Sequence, residues 1–166
     1  MNIVLIAAVS ADGKIAQTSD QSSMDWTSKE DTKFFIEKTK ELGTVVMGRK
    51  TFATFGKPLK GRRLIVITKN PAAEQAIEGV EYTSDDPKTL VARLEAEGIA
   101  SLALAGGSSV YSQFLSAGLV NELFLTVEPV LFGNGVPLAS GFDRLNLKLI
   151  ETSKLNDQAI LLHYTL

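Results

Sequence analysis

Apolar and polar positions fall into short runs that outline most elements of the chain. Ile3 to Val9 is apolar without a break, which predicts a strand covered on both faces and a central place in a sheet. Ser10-Ala11-Asp12-Gly13-Lys14 is a turn, Ile15 and Ala16 are apolar again, and Gln17 to Ser23 is a polar loop long enough to move. Ser28 to Leu42 has the period of an amphipathic helix with two ways to cap it, Thr27 paired with Glu30 or Ser28 paired with Asp31. The first is the commoner pairing and leaves the Asp31 carboxylate free. Thr44 to Met47 and Arg62 to Thr68 read as buried strands. Between them, Lys50 to Thr54 has room for a helical turn or two before Gly56-Lys57-Pro58 stops it. Val80-Glu81-Tyr82 is a short strand, and Pro87 to Glu97 is a helix with Leu90, Val91 and Leu94 on one side. Ser101 to Ala105 is another buried strand, leading through Gly106-Gly107 into a helix from Ser108 to Ala117. Glu122 to Val127, Leu145 to Thr152 and Ala159 to Tyr164 are further strands, the last two forming an antiparallel hairpin around Asn156-Asp157.

Strands and helices that alternate and then end in a hairpin predict an α/β fold. Its architecture is a three-layer αβα arrangement with a mostly parallel central sheet, helices on both faces and a C-terminal antiparallel hairpin. No repeat, linker or low-complexity tract divides the 166 residues, so a single domain over 1–166 is expected.

Composition narrows the chemistry. A net charge of -2 supplies no global field for nucleic acid or an anionic membrane surface, so any anion site must be local. Zero cysteines exclude disulfides and thiolate catalysis, and a single histidine excludes a histidine-cluster metal site. His163, in the final strand, reads as structural. The N-terminal run lacks a basic leader and no apolar run is long enough to span a bilayer, so a cytoplasmic location is expected.

The candidate chemistry collects at strand ends. Gly48 permits a sharp turn after the strand at 44–47, placing Arg49 and Thr51 at a helix N-terminus, where free N–H groups suit a phosphate. Thr68-Lys69-Asn70-Pro71 is a second polar strand end. If the two strands are parallel neighbours, Arg49 and Lys69 can converge on one anion. Gly106-Gly107 allows close backbone approach, with Ser109 near a helix start, a crevice geometry suited to a dinucleotide pyrophosphate. Asp31 and Phe35 share a helical face in the first turns after the polar loop. Asp31 reads either as a helix-start acid or as an acceptor whose apolar surroundings raise its pKa. Met24 and Trp26 either close the core edge or lie over a bound ring.

The ordered set IAAVSADGKI, MDWTSKED, VMGRKTFATFGKPLKGR, VITKNP and AGGSSVY resembles the dihydrofolate reductase superfamily, including the related reductase domain of bacterial riboflavin biosynthesis. The resemblance covers essentially the whole chain. It implies that Asp31 hydrogen-bonds the pterin edge and assists protonation, with Trp26 ordering a water beside it and Met24 contributed by the mobile loop. It places Ala8, Phe35, Phe55 and Leu59 against the substrate, Arg62 on the carboxylate of the glutamate tail, and Thr126 beneath the acid. It assigns NADPH to Ala8, Ile15, Gly48, Arg49, Lys50, Thr51, Thr68, Lys69, Ala105, Gly106, Gly107, Ser108, Ser109, Val110 and Tyr111, with Arg49 and Lys69 near the 2'-phosphate. No metal is implied, the partner is a small-molecule substrate, and the chain is expected as a monomer or homodimer.

The sequence also departs from the family pattern. Ser108 stands where a third glycine is common, Asp25 replaces a proline before Trp26, and the loop at 17–23 is slightly longer than in compact bacterial relatives. SAGLVNELFLTVEPVLFGNGVPL is closer to the riboflavin branch, which reduces a phosphorylated ribosylamino-pyrimidine. The expected reaction is NADPH-dependent reduction of dihydrofolate. The alternatives are the riboflavin-pathway reduction and a non-catalytic nucleotide-binding module.

Overall fold

The continuous apolar run at the start of the chain becomes β1 (Asn2–Ser10), which lies inside an eight-stranded sheet. The computed structural model describes residues 1–166. Its other sheet strands are β3 (Thr44–Gly48), β4 (Arg63–Ile67), β5 (Val80–Thr83), β6 (Ser101–Leu104), β7 (Glu122–Glu128), β9 (Lys148–Lys154) and β10 (Ile160–Thr165). The spatial order is β5-β4-β3-β6-β1-β7-β10-β9. β1 pairs in parallel with β6 on one side and β7 on the other, and β3, β4 and β5 extend the parallel set. Within this sheet only the β7–β10 and β10–β9 pairs are antiparallel, which gives the expected C-terminal hairpin.

Strand alternation explains the layers. Ile3, Leu5 and Ala7 of β1 point to one face, where they pack with Leu90 and Leu94 of α3 (Pro87–Ala96) and Phe114 of α4 (Ser108–Ser116). Val4 and Ile6 point to the other face, toward Leu42 of α1 (Lys29–Leu42) and Phe52 of α2 (Arg49–Ala53). A strand buried on both faces has no polar side to show, hence the unbroken apolar run. Each large side chain removed from water contributes about 1.5–3 kcal/mol, and these two cores hold the strand ends in a fixed frame.

Two features differ from the sequence-based expectation. The hairpin strand begins at Lys148 rather than Leu145, because its pairing with β10 starts with Lys148 opposite Thr165 and leaves Leu145 and Leu147 without a partner strand. A second, two-stranded sheet joins β2 (Lys14–Ala16) to β8 (Val136–Pro137). Asp12 ties this region together, accepting from Ser10 Oγ at 2.6 Å and from the N–H groups of Phe132 at 3.1 Å and Gly133 at 2.8 Å. Those donors, the Ser10 hydroxyl first, hold the Asp12 carboxyl down at about 2. Gly135 is required beside β2, since a Cβ there would stand 2.5 Å from the Ala16 carbonyl oxygen.

Candidate active site

The carboxyl ends of β1, β3, β4 and β6 open on one side of the sheet into a continuous cavity of about 1380 Å³. That exceeds the ~300–1,000 Å³ of a usual single-ligand pocket and leaves room for two ligands side by side. The cavity is lined by all the residues expected from the sequence at a substrate or dinucleotide site, from Ala8 and Ile15 through Ser109, Val110 and Tyr111, with the exceptions of Trp26 and Thr126.

Asp31 is positioned by the start of α1. Ser28 is the N-cap, its hydroxyl accepting from the Asp31 N–H at 3.3 Å, so the frame is Ser28–Asp31 rather than Thr27–Glu30. The Asp31 carboxylate is nonetheless free of the capping role. The Ser28 N–H that a capping acid would take donates instead to Glu128 Oε1 at 2.7 Å, as does the Ser28 hydroxyl at 2.7 Å. Glu30 turns away to accept from Asn156 at 3.0 Å. Burial is the largest influence on the Asp31 carboxyl and pushes its pKa up. The Thr126 hydroxyl pulls it back, the Glu128 charge pushes it up again, and the Thr27 hydroxyl pulls it down. Thr126 is itself buried, facing α1 from β7 beneath the cavity floor.

Trp26 packs edge-on against Phe132, with ring centroids 5.0 Å apart, and does not line the cavity. Its indole N–H is buried without a protein acceptor, the one such side-chain atom in the molecule. Met24, 61% exposed, does line the cavity mouth, as do Phe35, Phe55 and Leu59 deeper in.

The loops after β3 and β6 are locked together. The Gly48 N–H donates to Gly106 O at 2.7 Å, and a Cβ on Gly107 would come within 3.0 Å of Thr51 Oγ1. Gly106 has φ +101, a conformation that suits glycine. Ser108 needs no such freedom: it opens α4 with Gly107 as N-cap, so its replacement of a third glycine leaves ordinary helical backbone. Tyr111 is 3% exposed and its hydroxyl donates to Ile6 O at 2.7 Å, so it braces α4 against β1.

At the cavity end beyond these loops, β3 and β4 are parallel neighbours as expected, and both Arg49 and Lys69 line the wall. Arg49 does not stand free beside Lys69. Its Nε lies 3.6 Å from Glu74 Oε1, which also accepts from the Thr68 hydroxyl at 2.8 Å. At the opposite end, Arg62 donates to Thr39 Oγ1 at 2.8 Å and has no carboxylate partner. Glu128 and Glu74 were not among the expected site residues. A glutamate closing the alternating strand ELFLTVE was a usable sign for Glu128, whereas Glu74 sits in a stretch that reads as plain surface.

A crevice across the carboxyl ends of parallel strands, with an ionisable acid in its wall, is the place where an α/β enzyme binds its ligands. The family profile described as dihydrofolate reductase matches residues 2–152, and the chain belongs to that family. Dihydrofolate reductase type 3 of Salmonella typhimurium is 33% identical over 127 residues, covering 76% of this chain and 71% of that protein. The dihydrofolate reductase of Enterococcus faecalis complexed with NADP(H) and RAB-propyl superposes with a TM-score of 0.75 at 27% identity, over 99% of this chain and 95% of that one. The bifunctional diaminohydroxyphosphoribosylaminopyrimidine deaminase/5-amino-6-(5-phosphoribosylamino)uracil reductase of Thermotoga maritima shares the fold with a TM-score of 0.80 at 19% identity. It covers 99% of this chain, which spans 56% of that one.

Proposed function

We propose that the protein reduces 7,8-dihydrofolate to 5,6,7,8-tetrahydrofolate with NADPH as hydride donor. One observation carries the reading: a single cavity joins a partly buried carboxyl of raised proton affinity, Asp31, to a guanidinium without a carboxylate partner, Arg62. A pterin with N–H donors on one edge and a carboxylate on its tail matches that polarity end to end. The cofactor end fits as well, since Gly106 and Gly107 leave backbone close to the cavity and Arg49, Lys50 and Lys69 line its far wall.

When bound, the dinucleotide supplies a hydride to the pterin carbon of the C=N bond. The chain's own residues bind, orient and protonate. Asp31 accepts the ring-edge N–H groups and favours the proton arriving on the adjacent nitrogen, so the double bond becomes CH–NH with one hydride added at carbon and one proton at nitrogen. Phe35, Phe55 and Leu59 keep water from the ring faces, and Met24 closes the mouth. Arg62 holds the tail through a charge-assisted bond.

Single-turnover reduction of dihydrofolate from pH 5 to 9 tests this. Replacing Asp31 by Asn is expected to cost about one to two orders of magnitude in rate at neutral pH, with partial recovery at low pH. A variant as fast as wild type across that range removes Asp31 from the reaction. The second reading is reduction of the phosphorylated ribosylamino-pyrimidine of riboflavin synthesis. It is favoured by Lys57 and Lys60 lining the cavity near Arg62, neither of them in an ion pair, a cluster able to hold a phosphate ester. Turnover of that substrate and not of dihydrofolate establishes it.

A further inference from the structure

We infer that Glu74 sets how strongly the protein discriminates between dinucleotides with and without a phosphate on the adenosine 2'-oxygen. The inference deepens the cofactor reading above and rests on it. The turn at Pro71–Ala73 folds the chain back after β4, and Glu74 returns to the cavity wall. One oxygen, Oε1, accepts from Thr68 Oγ1 at 2.8 Å and stands 3.6 Å from Arg49 Nε. The Glu74 side chain is 21% exposed and that of Arg49 is 56% exposed, so the acid is the better-anchored member of the pair.

An acid in this role accepts a ribose hydroxyl, and an arginine in this role takes a 2'-phosphate. Here the two are present together and paired. A 2'-phosphate must draw Arg49 away from Glu74 or lie against a carboxylate, and like charges in contact oppose binding. A 2'-hydroxyl meets no such opposition, because it donates to the carboxylate. The other acids on this wall are otherwise engaged: Asp85 accepts from Arg93 Nε at 3.1 Å, and Asp86 caps α3 through the N–H groups of Lys88 and Thr89. Glu74 is thus the charge that holds the 2'-phosphate preference below what Arg49 and Lys69 give alone.

Calorimetric titration of the purified protein with NADPH, NADH, adenosine 2',5'-bisphosphate and adenosine 5'-monophosphate tests this without turnover. Glu74→Gln keeps the size and the acceptor for Thr68 while removing the charge. Affinity for the two 2'-phosphorylated ligands is expected to rise about tenfold, the scale of one charge contact at a half-exposed site, with NADH and the monophosphate nearly unchanged. The gain should shrink as salt is raised. Arg49→Gln in the Glu74→Gln background should abolish it. Thermal melts confirm that each variant is folded. Equal NADPH-to-NADH ratios in wild type and Glu74→Gln overturn the role of Glu74 while leaving the cofactor reading intact. Failure of wild type and variant alike to bind any of the four overturns both.

Discussion

Asp31 is the residue whose environment has the most direct consequence for the folded state. Its pKa is raised by burial, so the native protein holds the proton more tightly than the unfolded chain does. The stability gained from that proton is fully present below the unfolded value of 3.8 and is lost as pH rises through the higher folded value. Above the raised folded value wild type carries a partly buried negative charge that Asp31→Asn does not. Melting temperatures of the two proteins are expected to coincide near pH 3.5 and to separate in favour of the variant toward pH 7. A wild type that is the more stable protein at pH 7 contradicts the desolvation account. The position of Asp31 was legible from sequence because helix-start residues follow local rules, whereas Arg62, just before β4, was singled out only by the family resemblance. Glu74 was not, because its meaning comes from a turn that brings it back to Thr68 and Arg49.

At the level of elements, the start of α1 is held from outside the helix. Glu128, at the end of β7 and 4% exposed, takes both the N–H and the hydroxyl of Ser28 from a position 100 residues away in sequence. That long-range tie replaces the local capping pair, which explains why local pattern chose Thr27 and Glu30 whereas the structure uses Ser28. Glu128→Gln keeps an acceptor for Ser28 but removes a negative charge that pushes the Asp31 carboxyl up. The pH–rate profile of dihydrofolate reduction should therefore move to lower pH, with the helix intact by circular dichroism. Ser28→Ala removes the cap itself and should cost about 1 kcal/mol in denaturant unfolding. The pairing of β2 with β8 was equally invisible in the sequence. Strands of three and two residues have no period to read, and the carboxylate that fixes them, Asp12, sits in what reads only as a turn.

On the scale of the whole molecule, the sheet was legible because its two cores demand unbroken apolar strands, and both are built from alternate residues of the same strands. The cavity followed from the sheet, since parallel strands bring their carboxyl ends and connecting loops to one side. Residues 145–147 were misread as the start of a strand, because apolar residues alone do not distinguish an edge strand from a loop. Trp26 joins these scales. It is the only indole in the chain, partly buried and packed against Phe132 five residues before Asp31, at the junction of the cavity mouth with α1. The protein therefore carries its own optical probe, with no second tryptophan to blur the signal when excitation is set beyond tyrosine absorption. Its emission is expected near the blue end of the indole range in the free protein, and titration with dihydrofolate should quench it or shift its maximum in a saturable way. A spectrum indifferent to ligand, while calorimetry registers binding, would mean that the segment carrying Trp26 stays insulated from the cavity beside it.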